Sequence, residues 1–510
     1  MNFESILFER SEDRPVTKSE LPDFFTDLNL DQIVEAVVKD RGEYDLKPFF
    51  WYPLKRAEAI GYRHEVMREL ERQEPARIVK AFAERMHTMR DYLVRSDRLS
   101  YPLQKQRWFL DAVEVYCDAV SSLCHDLSAT DLKSRGFLAF REYLTDYTGS
   151  EAFVSLREET RRVKAELDSV DYSIHVKGKY FTVRRRESEM DFSAVVEKTF
   201  ERFKKDSGMD YLTTFSEPVE MNSIEATILG AVAQLFPDIF DHLEKYYEHH
   251  LGFLDETIRA FDREVQFYLG YLELINSIKP AGLNFCYPEI SDTDKEISQA
   301  EGFDLALAIK LVSEERPIVC NDFFLKGKER ICVVSGPNQG GKTTFARTFG
   351  QSHYLASLGC PVQGKEARLF LFDNLFTHFE QEENVEDLKS KLEDDLTRIH
   401  SILDKATSRS ILIANEILTS TTFNDAVFLG RKVMQSLQQK DLLCVWVTFV
   451  EELASYSNTT VSMVSMVAPE DPSHRTYKIV RRPPLGLSYA NALAEKYSLT
   501  YEYLRKRINE

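Results

Sequence analysis

The chain has 510 residues, 43% hydrophobic and 29% charged, with few Gly and Pro, which excludes a disordered or low-complexity polypeptide and predicts about two to four folded domains. Its formal net charge of -18 excludes a generally basic surface, so any contact with nucleic acid must be confined to a local patch. No run approaches the roughly 18 apolar residues of a membrane span, the first ten residues do not look like a signal peptide, and the seven cysteines are scattered without metal-ligand spacing, so a cytoplasmic protein with reduced thiols is expected.

From Asp27 to about Leu127 the apolar spacing is mainly helical, broken by the aromatic stretch Pro48-Phe49-Phe50-Trp51-Tyr52-Pro53. This predicts a helical core domain over residues 1–130. Residues 131–279 read as lever helices around a small β-element. Phe153, Leu156, Thr160, Val163 and Leu167 follow the three-and-four spacing of a coiled-coil seam. In Tyr172–Arg184, β-branched and aromatic residues flank Gly178, which predicts a β-hairpin over about 172–186. Leu251, Leu254, Ile258, Phe261, Val265, Tyr268, Leu272 and Ile275 repeat the heptad spacing and predict a second long helix ending before Pro280. The hairpin carries His175, Lys177, Lys179, Arg184, Arg185 and Arg186, a basic cluster that is either a phosphate-backbone contact or a solvated surface.

After Pro280 the pattern becomes α/β, giving a third stretch over 280–510. The apolar run Arg330–Ser335 precedes Gly336-Pro337-Asn338-Gln339-Gly340-Gly341-Lys342-Thr343-Thr344, and a helical segment follows through Leu355. Strand, glycine-rich loop and helix in that order form the context a phosphate-binding loop requires. Glycines let backbone N–H groups close around phosphate oxygens, and the helix adds its positive N-terminal dipole. Lys342 is placed to reach the β- and γ-phosphates of ATP, and Thr343 to ligate Mg²⁺. A second apolar run, Ser410–Asn415, ends at Glu416. Glu416 is the candidate general base, and Asn415 stands where an Asp commonly supports the Mg²⁺ shell, or the pair is a buried strand end and a helix cap.

These motifs together resemble the MutS family of DNA mismatch repair ATPases. Gly336–Thr344 is similar to the family's Gly-Pro-Asn-Met-Gly-Gly-Lys-Ser-Thr loop, Asn321-Asp322 to its upstream Asn-Asp, and Gly359–Val362 and Leu375–His378 to further segments. Asn415-Glu-Ile-Leu-Thr-Ser-Thr-Thr-Phe-Asn-Asp425 resembles Asp-Glu-Ile-Gly-Arg-Gly-Thr-Ser-Thr-Tyr-Asp, which implies a role for Asp425 near the site. Ser390–Leu396 resembles Ser-Thr-Phe-x-x-Glu-Met, whose serine reaches the partner's nucleotide, so the resemblance implies Ser390 as a nucleotide contact and a homodimer with composite ATP sites. Leu487-Ser-Tyr489 resembles the Ser-Tyr-Gly ahead of the family's C-terminal dimerising helices.

The implied fold is an ABC-type, MutS-like α/β P-loop domain preceded by an all-α core and lever region with a hairpin clamp. Thr448-Phe449 replaces the family's Thr-His, and with Asn415 it implies slow hydrolysis. Ahead of Asp27 there is no room for a mismatch-reading domain, so branched or unusual DNA is the expected partner, with no membrane. The acidic charge balance also admits an ATP-gated protein-binding scaffold that never touches DNA.

Overall fold

A computed structural model describes residues 3–14, 21–186, 220–380, 391–468, 474–484, 499–501, 503, 505 and 507. The chain divides into two compact units, one of Met1–Phe3, Arg72–Leu132 and Leu138–Asp262, the other of Glu4–Glu71, Lys133–Phe137 and Arg263–Glu510. This division follows contacts, whereas the stretches 1–130, 131–279 and 280–510 follow motif order, and the two partitions are not the same.

Helices α1 (Leu30–Val38) and α2 (Ala57–Glu71) open the chain. Next come α3 (Gln73–Arg98), α4 (Pro102–Ala129), α5 (Arg135–Gly149) and α6 (Glu151–Asp168). Ser150 caps α6 by accepting the Phe153 N–H at 3.3 Å. The helix buries Phe153, Leu156, Thr160 and Val163, four of the seam positions expected from the sequence. Strands β1 (Tyr172–Lys177) and β2 (Tyr180–Arg185) pair antiparallel around Gly178, whose φ of 62° suits a residue without a Cβ.

The long helix expected from Leu251 to before Pro280 is α9 (Glu256–Ile278), which starts at Glu256 rather than Leu251; α7 (Ser223–Leu235) and α8 (Pro237–His249) precede it. Pro237 at the first turn of α8 separates it from α7 with a bend of 106°. Asp255 accepts the Ile258 N–H at 2.9 Å and the Tyr143 hydroxyl at 2.8 Å, which fixes the start of α9 beyond the exposed Leu251. Across α6 and α8, the Thr160 and Tyr246 hydroxyls lie 2.7 Å apart, and both residues are buried.

The second unit holds a six-stranded and a four-stranded sheet, beside a short antiparallel pairing of Phe285–Cys286 with Val362–Gln363. Strands β3 (Glu289–Ser291), β4 (Ile297–Gly302) and β5 (Asn321–Leu325), with α10 (Leu305–Ser313), precede β6 (Ile331–Ser335) and α11 (Lys342–Ser357). They are followed by β7 (Glu366–Phe370), β8 (Leu375–Phe379), α12 (Lys391–Lys405), β9 (Ile411–Asn415), α13 (Phe423–Lys440), β10 (Leu443–Val447), β11 (Thr460–Val467) and β12 (Arg475–Arg481). The larger sheet runs β8-β9-β10-β6-β11-β12, parallel except at the last pair. The smaller runs β3-β7-β4-β5. Strands β6, β9 and β10 are unbroken apolar runs buried along their length, the pattern of parallel strands covered on both faces.

Residues 4–71 help enclose α11. Gln351 donates to Leu28 O (2.9 Å) and Asp304 Oδ1 (2.8 Å), Tyr354 donates to Phe50 O (2.7 Å), and Arg63 donates to Leu7 O (3.0 Å) and Leu358 O (2.8 Å). The aromatic stretch around Phe50, read as an interruption, is therefore part of this core. No single helix among the described residues is long and apolar enough to cross a membrane.

Candidate functional site

Strand β6 ends in the loop Gly336–Gly341, and α11 begins at Lys342, at the carboxyl ends of the parallel strands where α/β sheets open their crevices. Gly336 (φ 121°), Gln339 (φ 60°) and Gly341 (φ 87°) are left-handed, and such a succession of turns gathers backbone N–H groups around a concavity suited to an anion. Lys342 is 5% exposed, and its Nζ donates to Gly336 O (3.0 Å), Pro337 O (3.2 Å) and Asn338 Oδ1 (3.2 Å), with Glu416 Oε1 at 3.6 Å. Burial pushes the ammonium pKa below its usual range, and the Glu416 carboxylate opposes that shift.

One strand, β10, separates β6 from β9, and its backbone ties the two ends together. Thr448 N–H donates to Val334 O at 3.0 Å, and Glu416 N–H to Val447 O at 2.9 Å. At the end of β9, Asn415 Oδ1 accepts from Thr343 Oγ1 at 2.9 Å. Two residues far apart in sequence, each read as part of a metal site, thus meet through an amide and a hydroxyl. A cavity of about 420 Å³ joins this polar corner, Gln339–Thr344 with Glu416, to an apolar wall formed by Leu307, Leu311, Pro317, Ile318 and Val319. The site therefore fits a phosphate chain with an attached flat apolar group. It also fits Mg²⁺, since the Thr343 hydroxyl and Asn415 carbonyl are oxygen donors of the kind that ion takes.

Strands β11 and β12 complete the loop with residues that the sequence reading did not single out. Ser465 Oγ donates to Gly340 O at 2.7 Å, Arg475 Nε donates to Asn338 O at 3.2 Å, and Tyr477 (φ 57°) lies over Gly341. Asn321, noted for its neighbourhood to the loop, fastens β12 by donating to Tyr477 O (3.1 Å) and accepting from Ile479 N–H (2.7 Å).

Gly336, Pro337, Asn338, Gln339, Gly340, Gly341, Lys342, Thr343, Thr344, Asn415 and Glu416 are therefore brought together. Ser390 and Leu487–Tyr489 lie outside the described residues. Asp425 accepts from Thr422 Oγ1 at 2.8 Å at the start of α13, the arrangement of a helix N-terminus. Phe449 is exposed with its ring 6.4 Å from Phe423. On the hairpin, Lys177, Lys179 and Arg184 are exposed, Arg185 donates to Leu235 O (3.1 Å) and covers the Phe236 ring, and Arg186 lies 3.7 Å from Asp171.

Fold and loop together define a phosphate-loop α/β protein. Residues 332–495 match the family model for MutS domain V. Endonuclease MutS2 of Thermus thermophilus is 28% identical over 190 residues, 37% of this chain and 25% of that protein. DNA mismatch repair protein MutS of Caldanaerobacter subterraneus is 23% identical over 232 residues, 43% of this chain and 25% of that protein. Endonuclease MutS2 of Enterococcus faecalis is 23% identical over 374 residues, 70% of this chain and 45% of that protein. Over residues 332–495 the chain is similar to MutS domain V, and its matches to the first two relatives span a quarter of those relatives' length.

Proposed function

We propose that this protein is a DNA-associated ATPase that binds ATP with Mg²⁺ at Gly336–Thr344 and works as a homodimer whose paired arms form a clamp. The observation that carries the reading is the meeting of Lys342, Thr343, Asn415 and Glu416 at one end of the parallel sheet, beside a cavity with both a polar and an apolar wall. The loop amides and Lys342 would hold the phosphates, Thr343 and Asn415 would hold the metal, and Leu307, Leu311 and Ile318 would receive the base. When bound, Mg²⁺ neutralises phosphate charge. Lys342 must exchange its loop oxygens for phosphate oxygens, and Glu416 accepts the proton of the attacking water.

Hydrolysis is slow in this reading, because Asn415 brings no charge to the metal and Phe449 offers no ring nitrogen to the water. Ser390 would contribute from one protomer to the nucleotide of the other. The relatives' names, endonuclease and mismatch repair protein, support a DNA partner for the exposed basic residues of the hairpin, in a repair or recombination role. The net charge of -18 favours a second reading, an ATP-gated scaffold for a protein partner.

Steady-state ATPase measurements on the parent and Glu416→Gln, with and without duplex, branched and single-stranded DNA, test both. Stimulation by one DNA form, lost in Glu416→Gln, supports the clamp. ATPase activity indifferent to every DNA form supports the scaffold, and no Mg²⁺-dependent hydrolysis at all defeats the ATPase reading.

A further inference from the structure

The turn after β9 contains two non-glycine residues with left-handed backbone, Glu416 (φ 54°) and Leu418 (φ 63°). Such a conformation is unfavourable for a residue with a Cβ, and it persists only where the surroundings hold it. Glu416 is held by its N–H bond to Val447 O. Leu418 has another partner. Its N–H faces Oδ2 of Asp395 at 3.4 Å, a carboxylate on α12 that is 8% exposed. The Leu418 side chain is 2% exposed and sits in a core with Ile399, Leu412 and Ile417, so neither end of the residue can swing outward without loss.

Asp395 is itself placed by β8. His378, fully buried, has Nε2 at 3.3 Å from Asp395 O and 3.7 Å from Asp395 Oδ1. Burial, reinforced by Arg398, keeps the imidazole pKa below its ordinary value, which favours a neutral ring donating one N–H. The acid is thus neither exposed nor part of the phosphate loop, yet it faces the turn that begins with Glu416.

We infer that Asp395 is a positioning residue for Glu416: by accepting the Leu418 N–H it keeps the turn left-handed and so keeps the Glu416 carboxylate beside Lys342. The inference rests on the reading of Glu416 as the base. It places a functional dependence on α12, an element that contributes no atom to the phosphate cavity.

A double-mutant cycle on the full chain tests it. Asp395→Ala is expected to lower kcat about tenfold with KM for ATP unchanged, the rate equivalent of one residue's left-handed strain. Asp395→Asn, which retains an acceptor, should stay within about threefold of the parent. In a Leu418→Gly background, where left-handed backbone costs nothing, Asp395→Ala should change kcat by less than about twofold, whatever Leu418→Gly does alone. Urea unfolding of the nucleotide-free proteins should show the same non-additivity. If Asp395→Ala does not fold, Asp395→Ser, whose shorter hydroxyl cannot reach Leu418, takes its place.

Equal losses in both backgrounds, or an unaffected kcat in Asp395→Ala beside an active parent, overturn the inference while leaving the ATPase reading intact. A parent without hydrolysis defeats that reading, and additive unfolding energies then dispose of the turn-holding role separately.

Discussion

Gly340 leaves no room for a side chain, because a Cβ there would overlap Ser465 Oγ and approach Pro337 O to 2.9 Å. Gly340→Ala must therefore push β11 or the loop aside, at about 1–3 kcal/mol. Titration calorimetry should show weaker Mg²⁺–ATP binding in that variant, and Ser465→Gly combined with it should recover part of the loss. Unchanged affinity in Gly340→Ala would mean that the loop does not need its observed shape. At this scale the contiguous half of the site was legible: Gly336–Thr344 and Asn415-Glu416 are short runs whose composition states their geometry. The supporting half was not. Ser465 and Arg475 act on residues 125 and 137 positions earlier, and a lone Ser or Arg in a strand carries no local signal of such a contact.

The hairpin has two unlike faces. Strand alternation and register place Tyr172, Ile174, Val176, Phe181 and Val183 on one side with Arg185, and His175, Lys177, Tyr180 and Arg184 on the other. Arg185 is engaged with the end of α7, so charge reversal should separate structural from binding roles. Lys177→Glu, Lys179→Glu and Arg184→Glu together are expected to weaken DNA binding and to reduce its log–log salt slope by up to about three, near one per phosphate released. Arg185→Glu is instead expected to lower the melting temperature. Mobility-shift titrations at two salt concentrations, with melting curves alongside, check both; an unaltered slope in the triple variant removes the hairpin from DNA binding. The hairpin and the α6 seam could be read in advance because Gly178 and the seam spacing are local signals. The second long helix was legible too, except at its start, since a heptad count from Leu251 looks past Asp255, whose capping places the first turn at Glu256.

Three buried histidines among the described residues, His64, His353 and His378, give the molecule an acid-sensitive stability. Burial lowers the pKa of His64 on α2 and of His353 on α11 to about 4 from 6.5. The unfolded chain binds these protons first, so stability is complete above about pH 6.5 and declines as pH falls toward 4, by up to about 3 kcal/mol per histidine. Buried Glu264 and Asp304, whose carboxyl pKa values burial raises, act in the opposite sense and offset part of that decline. Urea midpoints at pH 7 and pH 5.5 should differ accordingly, and a pH-independent midpoint in that range would contradict the assignment.

Sequence motifs located the α/β half of the molecule but not the discontinuity of its second unit, because the bonds that close it link residues about 300 positions apart, such as Tyr354 to Phe50 and Arg63 to Leu358. That discontinuity governs the order of assembly on the ribosome. The Phe50 carbonyl and the Arg63 bond to Leu358 O must wait for partners translated much later, although Arg63 meets Leu7 O early. The nascent chain therefore keeps part of this interior open until the C-terminal stretch of the unit has emerged.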